Sequence, residues 1–452
     1  MTGESFFAHH SHDEAEQAAR ASQEEQRSGT IPADLIPYLE EADRVDDEDL
    51  VGDDQQEEVS ERDLALEALA LNSMLLGPDP SIVAELEGDY SQWGEDWEEE
   101  LAERRAEDAH REALDDAAHT AAVLERVEEI YQQIIARVPE HQVQPTLDRV
   151  TETLDILGDP QNSYPSVHIT GTNGKTSTTR MIDALLGAFG VRTGRFTSPH
   201  LVDVRERITI EGDSISPDEF VRTWEDIAPY IEMVDRAHAE TDGTKLSFFE
   251  VFTVMAFAAF ADHPVDAAVV EVGMGGRWDA TNVIDAGVGV IMPIAIDHEK
   301  WLGSTIREIA EEKAGIIKPG QIVIVAKQQE EALRVIEERA AQVDAIVRLE
   351  GRDYEVMDRQ LGVGGQMITV RTPAAVYEDV FVPLFGDYQA SNAAAAIAAV
   401  EAFMGGRALD AKVVEAGMLS ATSPGRLQVV RHSPTIIVDA AHNPAGAHTL
   451  GE

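Results

Sequence analysis

The run Gly171-Thr172-Asn173-Gly174-Lys175-Thr176-Ser177 sets two glycines, a lysine and three hydroxyls directly after the β-type run Ser166–Thr170. Strand, glycine loop and helix start in that order make a phosphate cradle. The glycines let backbone N–H groups converge on oxygen anions, and the helix N-terminus adds its dipole. Lys175 supplies a point charge, and the Thr176 hydroxyl suits Mg²⁺. The spacing is not the common Walker form, because Ile169 stands where its first glycine would be. The competing reading is a glycine-rich turn with a chance lysine.

Other polar residues sit where chemistry or plain structure could explain them. Glu250 is a lone carboxylate in the apolar run 248–261. Such a group is costly unless paired or metal-bound, although a helix-start carboxylate favoured by the dipole explains it equally. His298 follows a β-type run, at the strand end where ligands sit in doubly wound sheets; a structural histidine is the alternative. Lys313 lies on a helical stretch and would ordinarily face water. Asn392, Arg426, Asp439 and His442 read, one by one, as a helix amide, a linker arginine and two turn residues.

The elements that must hold these groups alternate. Apolar β-type runs recur at 267–272, 288–294, 322–325 and 436–438, with helical stretches at 248–260, 305–316 and 330–342 between most of them. The pattern predicts an α/β fold with a doubly wound, mostly parallel sheet. Helices are also expected at 124–138, 144–157, 181–189 and 389–403. Residues 354–371 and 377–382 alternate around Gly362, Gly364 and Gly365, which predicts a small antiparallel insertion. Ser423-Pro424-Gly425 reads as a linker, and 427–430 and 435–439 as the opening strands of a further, Rossmann-like domain.

The wording T-G-T-N-G-K-T-S at 170–177 resembles the Mur ligase superfamily, which uses ATP to activate a carboxylate and couple it to an amine. Further segments narrow the resemblance to folylpolyglutamate and dihydrofolate synthases. They are Phe196-Thr197-Ser198-Pro199-His200-Leu201, Glu206-Arg207-Ile208, Ser247-Phe248-Phe249-Glu250, and the run from Glu271-Val272-Gly273 through Gly276-Arg277-Trp278-Asp279-Ala280-Thr281-Asn282. Asp297-His298, Glu312-Lys313-Ala314-Gly315, Gly386-Asp387-Tyr388-Gln389 with Asn392, Pro424-Gly425-Arg426 and Asp439-Ala440-Ala441-His442-Asn443-Pro444 continue it. Trp278 stands where the family more often has leucine.

The resemblance implies roles. ATP would be held by Gly171, Thr172, Asn173, Gly174, Lys175, Thr176 and Ser177, with Asn392 on the adenine side, Arg426 on the phosphates and Asp439 on the ribose. Two Mg²⁺ ions would take Thr176, Ser198, Glu250, His298 and Lys313, the lysine being carbamylated; K⁺ is a further implied cation. Lys175, Glu250, His298, Lys313 and His442 would be the catalytic set. Ser198, Pro199, His200, Arg207 and Asp279 would form the pterin–benzoate side. The implied substrates are ATP, L-glutamate and dihydropteroate or a folate, and the implied form is a cytoplasmic monomer.

The whole chain bounds these expectations. It has 452 residues, no cysteine and a net charge of −50, with 36 Asp and Glu against seven Lys and Arg in residues 1–120. Thiolate metal sites and a cysteine nucleophile are excluded, and the negative field opposes nucleic acid and anionic membranes. The same field opposes nucleotide and folate, so a site for them needs local cations. The run 251–261 is too short to span a membrane. Three domains are expected: 1–123, acidic and largely disordered, with short helices at 31–42, 64–76 and 97–114; 124–422, the ATP-binding domain; and 423–452, a linker with the truncated start of a C-terminal ligase domain. Two other readings share the loop. One is a cell-wall-type Mur ligase, against which F-T-S-P-H-L and S-F-F-E argue. The other is a truncated nucleotide-binding chain with little turnover, because so little core follows Gly425.

Overall fold

A computed structural model describes residues 97–138, 145–241 and 244–451. The expected helices at 31–42 and 64–76 lie outside the described residues. Contacts divide the chain into 1–125 and 126–452. The elements are α1 (Trp97–Ile135), α2 (Asp148–Ile156), β1 (Ser166–Thr170), α3 (Lys175–Ala188), β2 (Thr193–Phe196), β3 (Ile208–Ile210), β4 (Asp213–Ser214), α4 (Pro217–Thr241) and α5 (Phe248–Asp262). They continue with β5 (Ala267–Glu271), β6 (Val288–Ile291), α6 (Glu299–Leu302), α7 (Ile306–Lys313), β7 (Ile322–Val325), α8 (Glu330–Gln342), β8 (Ile346–Leu349), β9 (Glu355–Gly362), β10 (Gly365–Arg371) and β11 (Val376–Val382). The last are α9 (Asp387–Phe403), α10 (Ala411–Leu419), β12 (Gln428–His432), β13 (Thr435–Val438) and α11 (Pro444–Gly451).

The expected boundary at 123/124 lies close to this division. It falls inside α1, one continuous helix where two shorter ones with a break between them were expected. The α/β expectation holds. Eight strands run in the order β4-β3-β2-β5-β1-β6-β7-β8. From β2 to β8 all pairings are parallel, and β3 and β4 close one edge antiparallel. Both faces are covered, which is why these strands read as unbroken apolar runs. Ala267 and Val269 of β5 pack toward α3 and the alanine-rich α9, while Ala268 and Val270 pack toward α4 and α5. Alanines at 393–396 and 398–399 let α9 lie close to α3 and the sheet.

Chain order reverses around β1. The chain leaves β1 for β2 on one side and later places β5 and β6 on its two flanks. The crevice at the carboxyl ends of such strands is where open α/β sheets bind ligands. Loops 171–176, 272–279 and 292–298 all emerge there. The antiparallel insertion is present as β9–β10–β11. The strands after the linker form an antiparallel hairpin, β12–β13, which leaves Ile436, Ile437 and Val438 exposed.

Helix α4 and strand β2 are among the elements not foreseen. Helix α4 carries Asp218 and Glu219 in its first turn and Pro229 inside, which blur its pattern. Strand β2, Thr-Gly-Arg-Phe, has no apolar run. Its buried Arg195 is stabilised by an ion pair with Asp183 and by Thr209.

Candidate active site

The phosphate loop is built on glycine. Gly171 has φ +150°, and a Cβ there would lie 2.5 Å from Cβ of Met292. Gly174 caps α3 at φ +88°, and a Cβ there would lie 2.8 Å from Oδ1 of Asn392. The neighbouring loop clamps the cradle: the Thr172 amide donates to the Pro293 carbonyl at 2.9 Å, and the Thr172 hydroxyl donates to the Ala295 carbonyl at 3.0 Å. Lys175 folds back so that Nζ donates to the Gly171 carbonyl at 3.2 Å.

A carboxylate stands beside the loop, and it is not the expected one. Glu271 ends β5, next to β1, and the Thr176 hydroxyl donates to its Oε1 at 2.8 Å. Its Oε2 is buried with no hydrogen-bond partner. Burial raises the Glu271 pKa, against the pull of Lys175, Thr176, the Ser198 amide and Arg426. A buried half-satisfied carboxylate facing a hydroxyl at a phosphate loop fits a divalent cation.

Glu250, expected as a metal ligand, is corrected. Its Oε1 accepts from Nη2 of Arg149 at 2.8 Å, and its Oε2 accepts the Ser247 amide at 2.7 Å. It completes the capping box of α5 and neutralises a buried arginine. The signal for Glu271 was in the sequence: a carboxylate closing an apolar run at a strand's carboxyl end, beside the loop-bearing strand.

His298 starts α6 with φ +51° and faces the cleft. Burial lowers its pKa, with Lys175, Lys313 and His442 acting in the same direction against Asp297. The neutral imidazole keeps a lone pair for a metal. Lys313 is buried, and its Nζ donates to the Gly171 carbonyl at 2.7 Å. Burial, then Lys175, pull its pKa well below the usual lysine range, against Asp297 and Asp279. Among the described residues no three His, Asp or Glu side chains form a metal cluster by themselves. A cation here would therefore take hydroxyl oxygens and phosphate oxygens as well.

The segment after the linker closes the cleft. Asn443 was not singled out as a site residue, yet it bridges both sides: its Nδ2 donates to Oδ2 of Asp297 at 2.9 Å and to Oδ1 of Asn173 at 3.1 Å. His442 lies 3.7 Å from the Asp297 carboxylate. Asp439 accepts the Leu427 and Ala441 amides, each at 2.7 Å, and so fixes the turn that carries Arg426. Asn392 is buried, held by Gln389 at 3.0 Å. All four expected residues, Asn392, Arg426, Asp439 and His442, line the same cleft of about 900 Å³.

The acceptor side divides. Ser198, Pro199 and Asp279 line the cleft beside an apolar wall of Phe249, Met274, Trp278, Ile294 and Leu302. The structure does not bring His200 and Arg207 there. Arg207 is buried with its guanidinium 4.9 Å from the Phe248 ring centroid, and its Nε donates to Nδ1 of His200 at 3.0 Å. This pair braces the 198–207 loop from behind.

Comparison with known proteins agrees with this geometry. Residues 169–400 match the Mur ligase middle domain. A dihydrofolate synthase/folylpolyglutamate synthase of Mycobacterium tuberculosis is 49% identical over 343 residues, covering 73% of this chain and 70% of that protein. The enzyme of the same description from Bacillus subtilis is 36% identical, covering 69% and 72%. Among solved structures, the M. tuberculosis folylpolyglutamate synthase complexed with ADP and AMPPCP superposes with a TM-score of 0.69 at 47% identity, covering 73% of each chain. An FPGS–AMPPCP–folate complex gives a TM-score of 0.68 at 33% identity, covering 73% and 78%. The sheet, the phosphate loop and these likenesses lead to one conclusion: the chain belongs to the dihydrofolate synthase/folylpolyglutamate synthase family of ATP-dependent Mur-type ligases.

Proposed function

We propose that this chain uses ATP to join L-glutamate to dihydropteroate and to the γ-carboxyl of folate glutamates, through an acyl phosphate. The observation that carries the reading is the convergence of the phosphate loop, the buried Glu271 and the depressed Lys313 on one cleft that also has an apolar wall. Relatives of similar structure hold AMPPCP, and one holds AMPPCP with folate.

Forming an amide from a carboxylate is uphill, because oxide is a poor leaving group. The acceptor carboxylate attacks the γ-phosphorus of ATP, and ADP leaves. The glutamate amine then adds to the acyl phosphate, and phosphate leaves from the tetrahedral intermediate. The first step brings two anions together, so preorganised positive charge counts most. The α3 N-terminus, Lys175 and Arg426 supply it here. Thr176, Ser198, Glu271 and His298 would hold Mg²⁺, which when bound offsets phosphate charge. Lys313, whose pKa burial holds well below the usual lysine range, is suited to react as a free amine with CO₂, releasing a proton to become a carbamate, which would place an anion beside the loop. Asn392, Asp439 and the turn at Asn443 hold the nucleotide, and Phe249, Trp278 and Asp279 face the acceptor.

The test is incorporation of labelled L-glutamate by the purified 452-residue chain, with dihydropteroate and tetrahydrofolate as separate acceptors. ATP-dependent product with either acceptor is the expected result. No product with both would overturn the reading for this chain.

A further inference from the structure

One buried histidine has no place in the chemistry above. His168 is on β1, with its ring on the sheet face opposite Val167 and Ile169, and it is fully buried. Its Nε2 lies 2.9 Å from Oγ1 of Thr281, and its Nδ1 has no hydrogen-bond partner. Burial, helped by the charge of Lys318, lowers its pKa to about 3, so the ring is neutral. Thr281 in turn donates its hydroxyl to Oδ1 of Asp279 at 2.5 Å, and its amide donates to the same oxygen at 3.0 Å. The Met274 amide donates to Oδ2 at 2.9 Å. Asp279 lines the cleft.

Directions follow from the donor inventory. An ionised carboxylate only accepts, so the Thr281 proton points to Asp279. The hydroxyl is left with lone pairs toward His168, and a neutral ring can fill them only with an Nε2–H. The unpaired Nδ1 is the consequence, and it costs stability in a buried site. A core histidine present for packing alone has no need of that tautomer.

We infer that His168 and Thr281 are positioning residues that hold the Asp279 carboxylate in one orientation, as a pure acceptor aimed at N–H donors of the acceptor substrate. This rests on the acceptor-side placement of Asp279 under the proposed function. The chain His168–Thr281–Asp279–Met274 also ties β1 to the glycine turn that floors the cleft. It fixes the carboxylate from behind.

The first experiment is long-range ¹⁵N–¹H correlation on the full chain, with the His168 signal assigned from its loss in His168→Gln. The neutral Nε2–H tautomer, unchanged between about pH 5 and 8, is expected. An Nδ1–H tautomer would overturn the inference whatever the variants do to affinity. The second experiment measures affinity for folate in the presence of AMPPCP, and affinity for AMPPCP alone. Thr281→Val and His168→Leu are expected to weaken folate about tenfold or more, a loss of about 1.4 kcal/mol, with AMPPCP affinity unchanged. Thr281→Ser and His168→Gln keep the donors and are expected to bind folate as the parent does. Asp279→Ala separates the two claims. If it weakens folate while Thr281→Val does not, the positioning role is wrong. If Asp279→Ala has no effect on folate, the acceptor-side placement is wrong and the inference falls with it.

Discussion

Two buried glutamates show how a residue's role depends on what already satisfies it. Glu250 is spent: an arginine and a helix-cap amide use its oxygens. Replacing it by alanine strands Arg149 without a counterion, which costs about 3–5 kcal/mol, and should appear as a lower denaturant midpoint. Glu271 is the reverse case, with a free buried oxygen and a pKa raised by burial. Glu271→Gln removes an unfavourable buried charge, so the midpoint should hold or rise while glutamate incorporation falls by about 10²-fold or more. Equal stability losses in both variants would count against the distinction. Lys313 adds a pH dependence. Its folded pKa is depressed, so below the ordinary lysine value the unfolded chain binds the extra proton, and stability rises with pH until about 10.5. Lys313→Met removes that contribution. Its stability advantage over the parent should therefore be largest at the lowest pH of a denaturation series and shrink as pH rises. The sequence singled out Glu250, whereas Glu271 entered only as part of a motif. It could not show which had a partner, because Arg149 lies 101 residues from Glu250 in the chain.

At the scale of elements, the legible parts were those with a single physical cause. Helix α8 and strand β7 have the bounds their patterns predict, Glu330–Gln342 and Ile322–Val325, because a clean amphipathic stripe and a doubly buried strand each leave an unambiguous period. Strand β2 was illegible because tertiary pairing of Arg195 with Asp183 replaces an apolar residue. His200 and Arg207 were expected on the pterin–benzoate side, and only the packing on Phe248 shows that they brace the 198–207 loop from behind. The phosphate loop was legible down to its glycines, and it makes a prediction of its own. Gly171→Ala would set a Cβ 2.5 Å from the Met292 side chain in a backbone region that favours glycine. Met292 directly follows β6, so the loop, not the strand, must move. Strain of about 1–3 kcal/mol should weaken AMPPCP roughly 10- to 100-fold with folate affinity less affected. Calorimetric titration of both ligands measures it, and unchanged AMPPCP affinity would show that the loop does not need this glycine.

At the scale of the whole molecule, the chain must draw anions to itself while carrying a net charge of −50. The described cleft answers locally, with Lys175 at the loop and Arg426 across from it, both lining the site. No described helix is long and apolar enough to cross a membrane. These two electrostatic contributions have different reach. The global repulsion acts over tens of ångströms and is screened beyond about 8–10 Å near physiological ionic strength, whereas the contacts of Lys175 and Arg426 operate at hydrogen-bond range in a partly buried cleft. Added salt should therefore remove more of the repulsion than of the attraction. The association rate constant of AMPPCP should rise as monovalent salt goes from about 0.01 to 0.15 M, and the dissociation rate constant should change little. Stopped-flow binding at several ionic strengths separates the two rates. A falling association rate would mean that the cleft's own positive field extends into solvent and outweighs the charge of the rest of the chain.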